Sequence, residues 1–301
     1  THFLDLDFCG RSSVIGVGVL ELDSGVAIID PGPASTVPGL RVGLHRAGIG
    51  LTDIRAILVT HIHLDHAGAC GTLVRANPKI DVLVHERGAP HLVDPSRLVA
   101  SATRLFGDDM DRLWGETLPV PEQNLTIVRD GNRFSEGGGG RSLDIAYTPG
   151  HASHHVAYFD AATATAFVGD AVGSRIRGGA VVLPATPPPD IDPDVMLASI
   201  ERILEWSPAQ LVVTHFGPAT DIEQHVRQLE HRLDDWSTQV RTSLLEPGDD
   251  AERARRFGAR VLEGLRGTVS DEEVEAIALG APPDLSWYGL ARYWRKKGVG
   301  A

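Results

Sequence analysis

The stretch AILVTHIHLDHAGACG (56–71) places three histidines and one aspartate within six residues, directly after a run of apolar residues. A fainter copy of its opening occurs as QLVVTHFGPAT (210–220). A short apolar run bounded by polar residues is typical of a buried β-strand. The two copies therefore predict two strands that lead into histidines, which are the commonest metal ligands in proteins.

Two more apolar runs lead into residues of the same kind. IAYTPG is followed by His151 and TAFVG by Asp170. Strands of common orientation would bring such side chains to one edge of an α/β body, where these proteins usually bind their ligands. The sequence therefore predicts one site built from seven strand-end side chains, namely His61, His63, Asp65, His66, His151, Asp170 and His215.

The spacing of these residues predicts metal binding. His61 and His63 are two apart on extended backbone, so they point to the same side of the chain. Asp65 and His66 fall at the start of the next helix and face another direction. One loop can thus serve two ions, ~3.5–4 Å apart, with a shared hydroxide and a bridging Asp170 carboxylate. Five imidazoles and two carboxylates favour two Zn²⁺ ions, with Fe and Mn as alternatives.

The composition narrows the class of partner. The 301 residues are 42% hydrophobic, enough for a large core in one domain, with or without an extension. The formal net charge of −12 argues against nucleic acid, which requires a basic face. No apolar run reaches the length of a membrane span. We therefore expect a small-molecule substrate and neither nucleic acid nor membrane as a partner; a homodimer is compatible with the sequence.

The cellular location is predicted from the N-terminus and the cysteines. The opening THFLDLDFCG lacks the charged and apolar regions of a secretory signal. Two cysteines, Cys9 and Cys70, fit a reduced compartment. We therefore expect a cytoplasmic protein; a start at Thr1 rather than Met is compatible with removal of an upstream segment.

Apolar runs and helical patterns alternate over the first two thirds of the chain, which predicts sheets covered by helices. The predicted strands cover 13–22, 26–32, 54–60, 80–86, 125–131, 141–150, 155–160, 164–170 and 210–215. The predicted helices of this part cover 37–48, 67–76 and 193–206. Asp192 is the expected N-cap of the third helix, with Pro193 at its first position.

From about residue 221 the pattern is helical only. Ser270, followed by Glu273, predicts a capping box at one of these helices. We predict a domain over 1–220 and a C-terminal helical extension over 221–301. The histidines of the extension, His225 and His231, are expected on a solvated face.

An insertion lies at residues 89–118. Its apolar residues, which run from Leu98 to Trp114, follow helical spacing. Helical core packing is the simpler interpretation. A lid or wall over a substrate pocket is the alternative.

The motifs THIHLDHAG, TPGH, FVGD and VTHFGP resemble, in order and spacing, those of the metallo-β-lactamase-fold superfamily. The resemblance covers roughly residues 1–220. It implies an α/β fold, a four-layered αβ/βα sandwich made of two similar halves. It also implies one metal held by His61, His63 and His151, a second held by Asp65, His66 and His215, and Asp170 as the bridge.

The resemblance extends to residues around the ligands. Asp30 matches a position that usually supports the metal ligands, and a turn-forming Asp before Pro and Gly is an equal alternative. The segment after His151 continues as ASHH, so His154 stands where Gly is common and His155 matches a second family histidine. We expect a supporting hydrogen bond from His155. His154 either reaches the site or caps a turn, and it is not counted as a ligand.

The resemblance implies hydrolysis, in which a hydroxide between the metals attacks a carbonyl or phosphorus and the metals stabilise the oxyanion. Asp65 and Asp170 are the catalytic candidates. The complete ligand set with a helical C-terminal part fits glyoxalase II-like and lactonase-like enzymes best, which implies a small ester, thioester or lactone. A phosphodiester is the second substrate class. Two different functions are also compatible with these residues: a persulfide-dioxygenase-like mononuclear iron oxidoreductase and a metal-bound scaffold without turnover.

Arginines are the candidate substrate-binding residues, together with His154. Arg175 and Arg177 follow Asp170 and can bind a carboxylate or phosphate. Contact with solvent is the simpler interpretation for both. The cations of RYWRKKG (292–298) are a second source, although cations in the last turn of a helix also complement its dipole.

Overall fold

Each of the two β-sheets takes its six strands from one half of the chain. The structure, a computed structural model, describes residues 1–136, 140–178 and 181–300. In chain order and side by side, the first sheet contains β1 (His2–Asp5), β2 (Gly16–Leu22), β3 (Gly25–Ile29), β4 (Ile54–Leu58), β5 (Asp81–His85) and β6 (Leu125–Val128). The second contains, also in chain order, β7 (Arg133–Ser135), β8 (Ser142–Tyr147), β9 (Val156–Asp160), β10 (Thr165–Gly169), β11 (Gln210–Val213) and β12 (Gly217–Ala219).

The strand directions place several carboxyl ends at the same edge. In the first sheet β1, β2 and β3 pair antiparallel, whereas β3 to β6 pair parallel. In the second sheet β10 and β11 are parallel and the other neighbours are antiparallel. Because β9 runs opposite to both β8 and β10, the strands β8, β10 and β11 share one direction.

Helices follow most of the parallel strands and fill the end of the chain. They are α1 (Val37–Arg46), α2 (Leu64–Ala67), α3 (Cys70–Ala76), α4 (Ala89–Val93), α5 (Ser96–Phe106), α6 (Met110–Leu113), α7 (Pro193–Leu204), α8 (Ile222–Ser243), α9 (Asp250–Leu265), α10 (Asp271–Gly280) and α11 (Pro283–Lys296). Among the described helices, none has the length and apolar character that crossing a bilayer requires.

Alternate residues of each strand face opposite sides, which produces four layers. In β3, Ala27 and Ile29 pack between the two sheets, whereas Ile28 packs under the helices of the first sheet. In β10, Phe167 faces the first sheet, and Val168 faces the helices of the second. Helices α1 and α3 cover the first sheet, and α7 and α8 cover the second. The predicted αβ/βα sandwich with a helical C-terminal region is confirmed.

The predicted helix starts are present. The Asp192 carboxylate accepts a hydrogen bond from the Val195 amide at 3.3 Å and caps α7. Ser270 and Glu273 form the expected capping box of α10. The helix expected over 67–76 is instead two short helices, α2 and α3. The short strands β1, β7 and β12 were not among those predicted.

The solvated position expected for His225 is wrong. Its side chain is fully buried and its Nε2 donates to the Val172 carbonyl at 2.8 Å. His231 is exposed, as expected. The division of the chain after residue 220 stays a prediction, and Ala301 lies outside the described residues.

Candidate metal centre

Four loops bring the predicted ligands together at one edge of the sandwich. The loops follow β4, β8, β10 and β11. Three groups have all their ligand atoms within 4.8 Å of one another: His61, His63 and His151; His61, His66 and Asp170; and Asp65, His66 and His215. All seven strand-end residues therefore lie in one connected cluster.

The first group is a triangle of imidazole nitrogens. His61 Nε2 lies 3.0 Å from His63 Nδ1 and 3.1 Å from His151 Nε2, and the third side measures 3.0 Å. Two nitrogens on a tetrahedral Zn²⁺ with Zn–N bonds of 2.0–2.1 Å are separated by about 3.3 Å. The triangle thus has nearly the size of one face of a tetrahedral zinc site.

The group of Asp65, His66 and His215, called the second group from here on, combines a carboxylate with two imidazoles. Asp65 Oδ2 lies 3.2 Å from His215 Nε2 and 3.7 Å from His66 Nε2. These three residues come from two separate loops, because His215 follows β11 in the other sheet. The group therefore forms only when the two sheets are docked.

Asp170 faces both groups. Its Oδ2 lies 3.6 Å from His151 Nε2, and its Oδ1 lies 3.4 Å from His66 Nε2 and 3.7 Å from His215 Nε2. One carboxylate oxygen is thus directed to each group. This is the arrangement expected of a residue that bridges two cations.

Hydrogen bonds outside the cluster orient three of the imidazoles. His151 Nδ1 donates to the Ala185 carbonyl at 2.8 Å, and His215 Nδ1 donates to the Val14 carbonyl at 2.9 Å. His66 Nδ1 is 2.8 Å from Asp30 Oδ2. With the proton held on Nδ1, the Nε2 lone pair of each ring is directed into the cluster, as in metal-bound histidines.

Burial keeps the first group neutral. It is the main cause that lowers the pKa of His61, His63 and His151, and repulsion from neighbouring imidazoles adds to it. The pKa of His63 falls to about 4. At neutral pH these rings therefore carry the free lone pairs that metal binding requires.

In the second group and at Asp170, the carboxylates and the imidazoles shift one another's pKa. Burial opposes ionisation of Asp65 and Asp170, yet the neighbouring histidines, led by His66, lower the pKa of both carboxyls. In turn, burial opposes protonation of His66 and His215, but Asp170 and Asp65 raise the pKa of both imidazoles. The carboxylates are therefore ionised and attract positive charge to this side of the cluster, which a bound cation would supply.

Two buried atoms of the cluster have no hydrogen-bond partner in the described part of the chain. They are His66 Nε2 and Asp170 Oδ1, which face each other at 3.4 Å. A buried polar atom without a partner is costly. A divalent cation would satisfy both atoms, so the residues present fit metal binding.

The Asp30 carboxylate supports the cluster through hydrogen bonds to His66 and to two loops that carry other candidate ligands. Asp30 is fully buried, and it accepts hydrogen bonds from the Thr60 amide and hydroxyl at 2.8 and 2.7 Å. It also accepts from the Thr214 hydroxyl at 3.0 Å and from His66. Asp30 thus joins the loop of the first histidines to the loop of His215.

His155 supports Asp170 through the backbone. Its Nε2 accepts from the Asp170 amide at 3.3 Å, and its Nδ1 lies 2.8 Å from the Thr148 hydroxyl. Gly169 has a φ of +47°, and a Cβ there would lie 2.4 Å from Thr60 Oγ1 and 2.8 Å from His155 Nε2. Only glycine allows this close approach at the residue before Asp170.

His154 lies beside the cluster and belongs to none of the three groups. Its ring is stacked on His61 with a centroid distance of 6.2 Å, and its Nδ1 accepts from the Ile62 amide at 3.4 Å. Burial, followed by repulsion from His63, lowers the pKa of His154 to about 2. It is therefore a neutral packing neighbour of the ligand loop.

An open cavity with a volume of about 160 Å³ reaches the cluster, and His63, Asp65, Asp170 and His215 form part of its wall. The predicted substrate-binding arginines do not line it. Arg175 pairs with Asp221 at 3.0 Å, and Arg177 lies 3.4 Å from Glu272. The cations at the end of α11 also lie elsewhere, where Arg295 binds Asp250 and Lys297 binds Asp194.

The insertion serves both as core and as wall. Leu113 is buried in the core, Leu98 and Leu105 line the cavity, and the buried Ala102 also borders the cavity. The sequence prediction missed the opposite wall, residues 279–285 at the junction of α10 and α11. The apolar LGAPP there, placed in a break between helices, is the signal that could have marked it.

Comparison with known proteins identifies the family. The family model described as the metallo-beta-lactamase superfamily matches residues 15–215. The metallo-beta-lactamase fold-containing protein ST1585 of Sulfurisphaera tokodaii is 32% identical over 184 residues, which cover 60% of this chain and 67% of the relative. The probable metallo-hydrolase YqgX of Bacillus subtilis is 29% identical and aligns with 66% of this chain and 83% of its own length. A hydroxyacylglutathione hydrolase of Aeromonas salmonicida is 28% identical over 44% of this chain, but over only 37% of its own length.

Solved structures share the fold. The crystal structure of ST1585 from Sulfolobus tokodaii has a TM-score of 0.66 at 23% identity and covers 92% of this chain and 93% of its own. The metallo-beta-lactamase family protein TTHA1429 from Thermus thermophilus has a TM-score of 0.69 at 20% identity, covering 94% and 89%. Motifs, fold and family model agree, and the chain therefore belongs to the metallo-β-lactamase superfamily.

Proposed function

We propose that this metallo-β-lactamase-superfamily hydrolase uses two divalent cations to cleave a small ester, thioester or lactone. The observation that carries the proposal is the cluster itself. Two ligand groups meet at Asp170, and two of the buried ligand atoms have no other partner in the described chain. Zn²⁺ is the preferred metal, because imidazole nitrogens dominate the donor set.

The two groups have separate roles in the proposal. His61, His63 and His151 would hold one cation, and Asp65, His66 and His215 would hold the other, with Asp170 between them. When bound, such cations lower the pKa of a water molecule and polarise a carbonyl oxygen. The ionised carboxylates of Asp65 and Asp170 lower the positive charge of the site, which favours loss of the products.

Asp65 is the carboxylate that can orient the attacking water. Its side chain is 19% exposed, whereas that of Asp170 is 8% exposed, and it lines the cavity. His215 Nε2, 3.2 Å away, fixes one of its oxygens. The other oxygen can accept a hydrogen bond from water in the cavity and hold that water near a bound carbonyl.

The choice of a carbonyl substrate is supported by the cavity. Among its lining residues in the described chain there is no Lys or Arg. A phosphodiester, the second candidate, would leave its charge on the metals alone. A mononuclear iron site would need only His61, His151 and Asp170 and would leave the second group without a purpose.

The test combines elemental analysis with a substrate panel. We expect two metal ions per chain in freshly purified protein and turnover of a thioester, ester or lactone. His63→Ala and Asp170→Ala should each lower metal content and reduce activity at least ~100-fold, beyond the 10–100-fold typical of residues that only support a ligand. His231→Ala removes an exposed histidine and should match the wild type.

Two outcomes would overturn the proposal. Unchanged activity in both ligand variants would remove the metal mechanism. One iron per chain with oxygen consumption and no hydrolysis would identify the oxidoreductase alternative.

A further inference from the structure

The cavity over the metal centre has two apolar walls from distant parts of the chain. Helix α5 of the insertion contributes Leu98 and Leu105, and the α10–α11 junction contributes Leu279 and Leu285. Four of the candidate ligands lie in the wall of the same cavity, namely His63, Asp65, Asp170 and His215. A group that extends away from a carbonyl at the cluster would therefore lie between these walls.

Helical geometry explains why α5 presents an apolar face. Leu98, Ala102 and Leu105 follow i, i+4, i+7 spacing, so they lie on one side of the helix. Ala102 is buried, whereas Leu105 is 39% exposed. A large aliphatic side chain with this exposure is available to cover an apolar ligand.

The cavity also lacks basic side chains that would receive an anionic chain. Its described lining contains no Lys or Arg, and the nearby Arg175 is paired with Asp221 at 3.0 Å. A carboxylate placed between the apolar walls would lose its hydration without gaining a cation. Burial of a neutral apolar chain there would be favourable, because it removes apolar surface from water.

We propose that this cavity is an acyl-binding subsite for an uncharged aliphatic acyl group, and that Leu105 determines its specificity. The proposal rests on the proposed function, because the acyl carbonyl is the one placed at the metal centre. It narrows the substrate to acyl thioesters, esters or lactones whose chain carries no terminal charge.

The kinetic test uses N-acetylcysteamine thioesters, which share a neutral leaving group. For the metal-loaded wild type we expect kcat/KM to rise about two- to fourfold per methylene from acetyl to hexanoyl, as buried methylenes contribute in proteins. The kcat/KM of the hexanoyl thioester should be at least ~10-fold higher than that of the adipoyl thioester, which has the same length and a terminal carboxylate.

Two variants at Leu105 test the residue. Leu105→Arg should lower kcat/KM for the hexanoyl thioester and raise it for the adipoyl thioester. The ratio of the hexanoyl value to the adipoyl value should therefore fall at least ~10-fold. Leu105→Ala should flatten the dependence on chain length and keep the discrimination against adipoyl. Leu245→Arg introduces the same charge at a leucine that is 74% exposed and outside the cavity, and it should behave like the wild type.

A binding measurement separates the subsite from the reaction. Calorimetry with octanamide and acetamide, which are not thioesters, should show binding of octanamide alone, weakened by Leu105→Arg. Binding of octanamide without turnover of any thioester, ester or lactone would support the subsite and refute the hydrolase proposal. Equal kcat/KM for acetyl and hexanoyl, with no octanamide binding, would overturn the subsite while the hydrolase proposal stands.

Discussion

Asp30 connects two loops through one side chain. Its carboxylate accepts hydrogen bonds from Thr60, Thr214 and His66, which belong to both halves of the sandwich. The Asp30 oxygen 2.8 Å from His66 Nδ1 accepts a hydrogen bond from that nitrogen, which directs Nε2 to the cluster. The orientation of one ligand therefore depends on a residue that lies outside the set of ligands.

Asp30→Asn should weaken metal binding about 10–100-fold. The amide group replaces one acceptor oxygen with a donor, so at least one of the four hydrogen bonds is lost. Competition with a chromophoric chelator measures the affinity. Asp81→Asn, which breaks an Asp–Thr pair far from the cluster, is the control and should leave affinity unchanged. Equal affinities in both variants would contradict the role of Asp30.

His225 fixes the loop that carries Asp170. It donates to the Val172 carbonyl, two residues beyond Asp170, from the first turn of α8. His225→Ala would leave that buried carbonyl without its donor, and we expect a loss of about 1–3 kcal/mol in the free energy of unfolding. Urea unfolding measures the loss. The exposed His231→Ala should change stability by less than about 0.5 kcal/mol.

Residue types near the cluster were predictable where chemistry and position coincide. The seven strand-end candidates, which the structure brings into one cluster, were predicted because histidines and aspartates directly follow apolar runs. His225 was misjudged as a histidine outside the motifs, although it lies three residues after Ile222 and four before Leu229 on the buried side of the helix. Helical spacing was the signal that could have corrected it.

At the scale of elements, the strands with continuous apolar runs were predicted within a few residues. β4, β5, β10 and β11 are buried on both faces, so each contains a continuous apolar run that is easily recognised in the sequence. The strands β1, β7 and β12 contain only three or four residues, too few to show alternation. The break between α2 and α3 also carries no strong sequence signal.

The end of β9 is held by an ion pair that makes stability depend on pH. Asp160 is fully buried, and it accepts from Arg141, Thr163 and the Ala162 amide. Burial opposes its ionisation, yet the hydrogen bond and charge of Arg141 lower the pKa of this carboxyl. A lowered pKa in the folded state stabilises the protein above the unfolded pKa of about 3.9.

We therefore expect the stability difference between the wild type and Asp160→Asn to be constant above about pH 5, to start to shrink near pH 4 and to be lost as the pH falls through the lowered pKa of the folded state. Urea unfolding of the two proteins at each pH measures it, since the shared titrations cancel. Asp144→Asn breaks a more exposed pair with Arg133 in the same sheet and should cost at most about 1 kcal/mol. A difference that grows toward acid pH would contradict the assignment.

On the scale of the whole molecule, the cluster lies where two halves meet. The first half supplies His61, His63, Asp65 and His66, and the second supplies His151, Asp170 and His215. A cation bound there would contact residues of both halves. The complete site exists only in the folded state. Metal binding should therefore stabilise the docked sandwich.

Removal of metal by a chelator should lower the melting temperature. A site saturated at 100 times its Kd contributes about 2.7 kcal/mol, which corresponds to roughly 5 °C for a protein of this size. Calorimetry with and without added Zn²⁺ measures the shift. Asp170→Ala should lose most of it, whereas His231→Ala should keep it. A melting temperature that does not respond to metal would contradict a site between the halves.

The docking of the C-terminal helices was the part that sequence could not predict. Their number and caps follow from local patterns, but the wall at 279–285 depends on where the helices pack. That position is set by contacts distant in sequence, such as Arg11 with Glu275 at 2.6 Å and Gly280 against Val14. The substrate side of the cavity was therefore only half predicted, from the insertion.

The apolar cluster under the first sheet includes Leu6 and Ile15 near the start of the chain and Trp287 and Leu290 from α11. During synthesis the first strands leave the ribosome long before α11 has been made. The contact of Val14 with Gly280, at the end of α10, therefore forms only late in synthesis, and a nascent or prematurely terminated chain exposes apolar surface there of the kind that chaperones and proteases recognise.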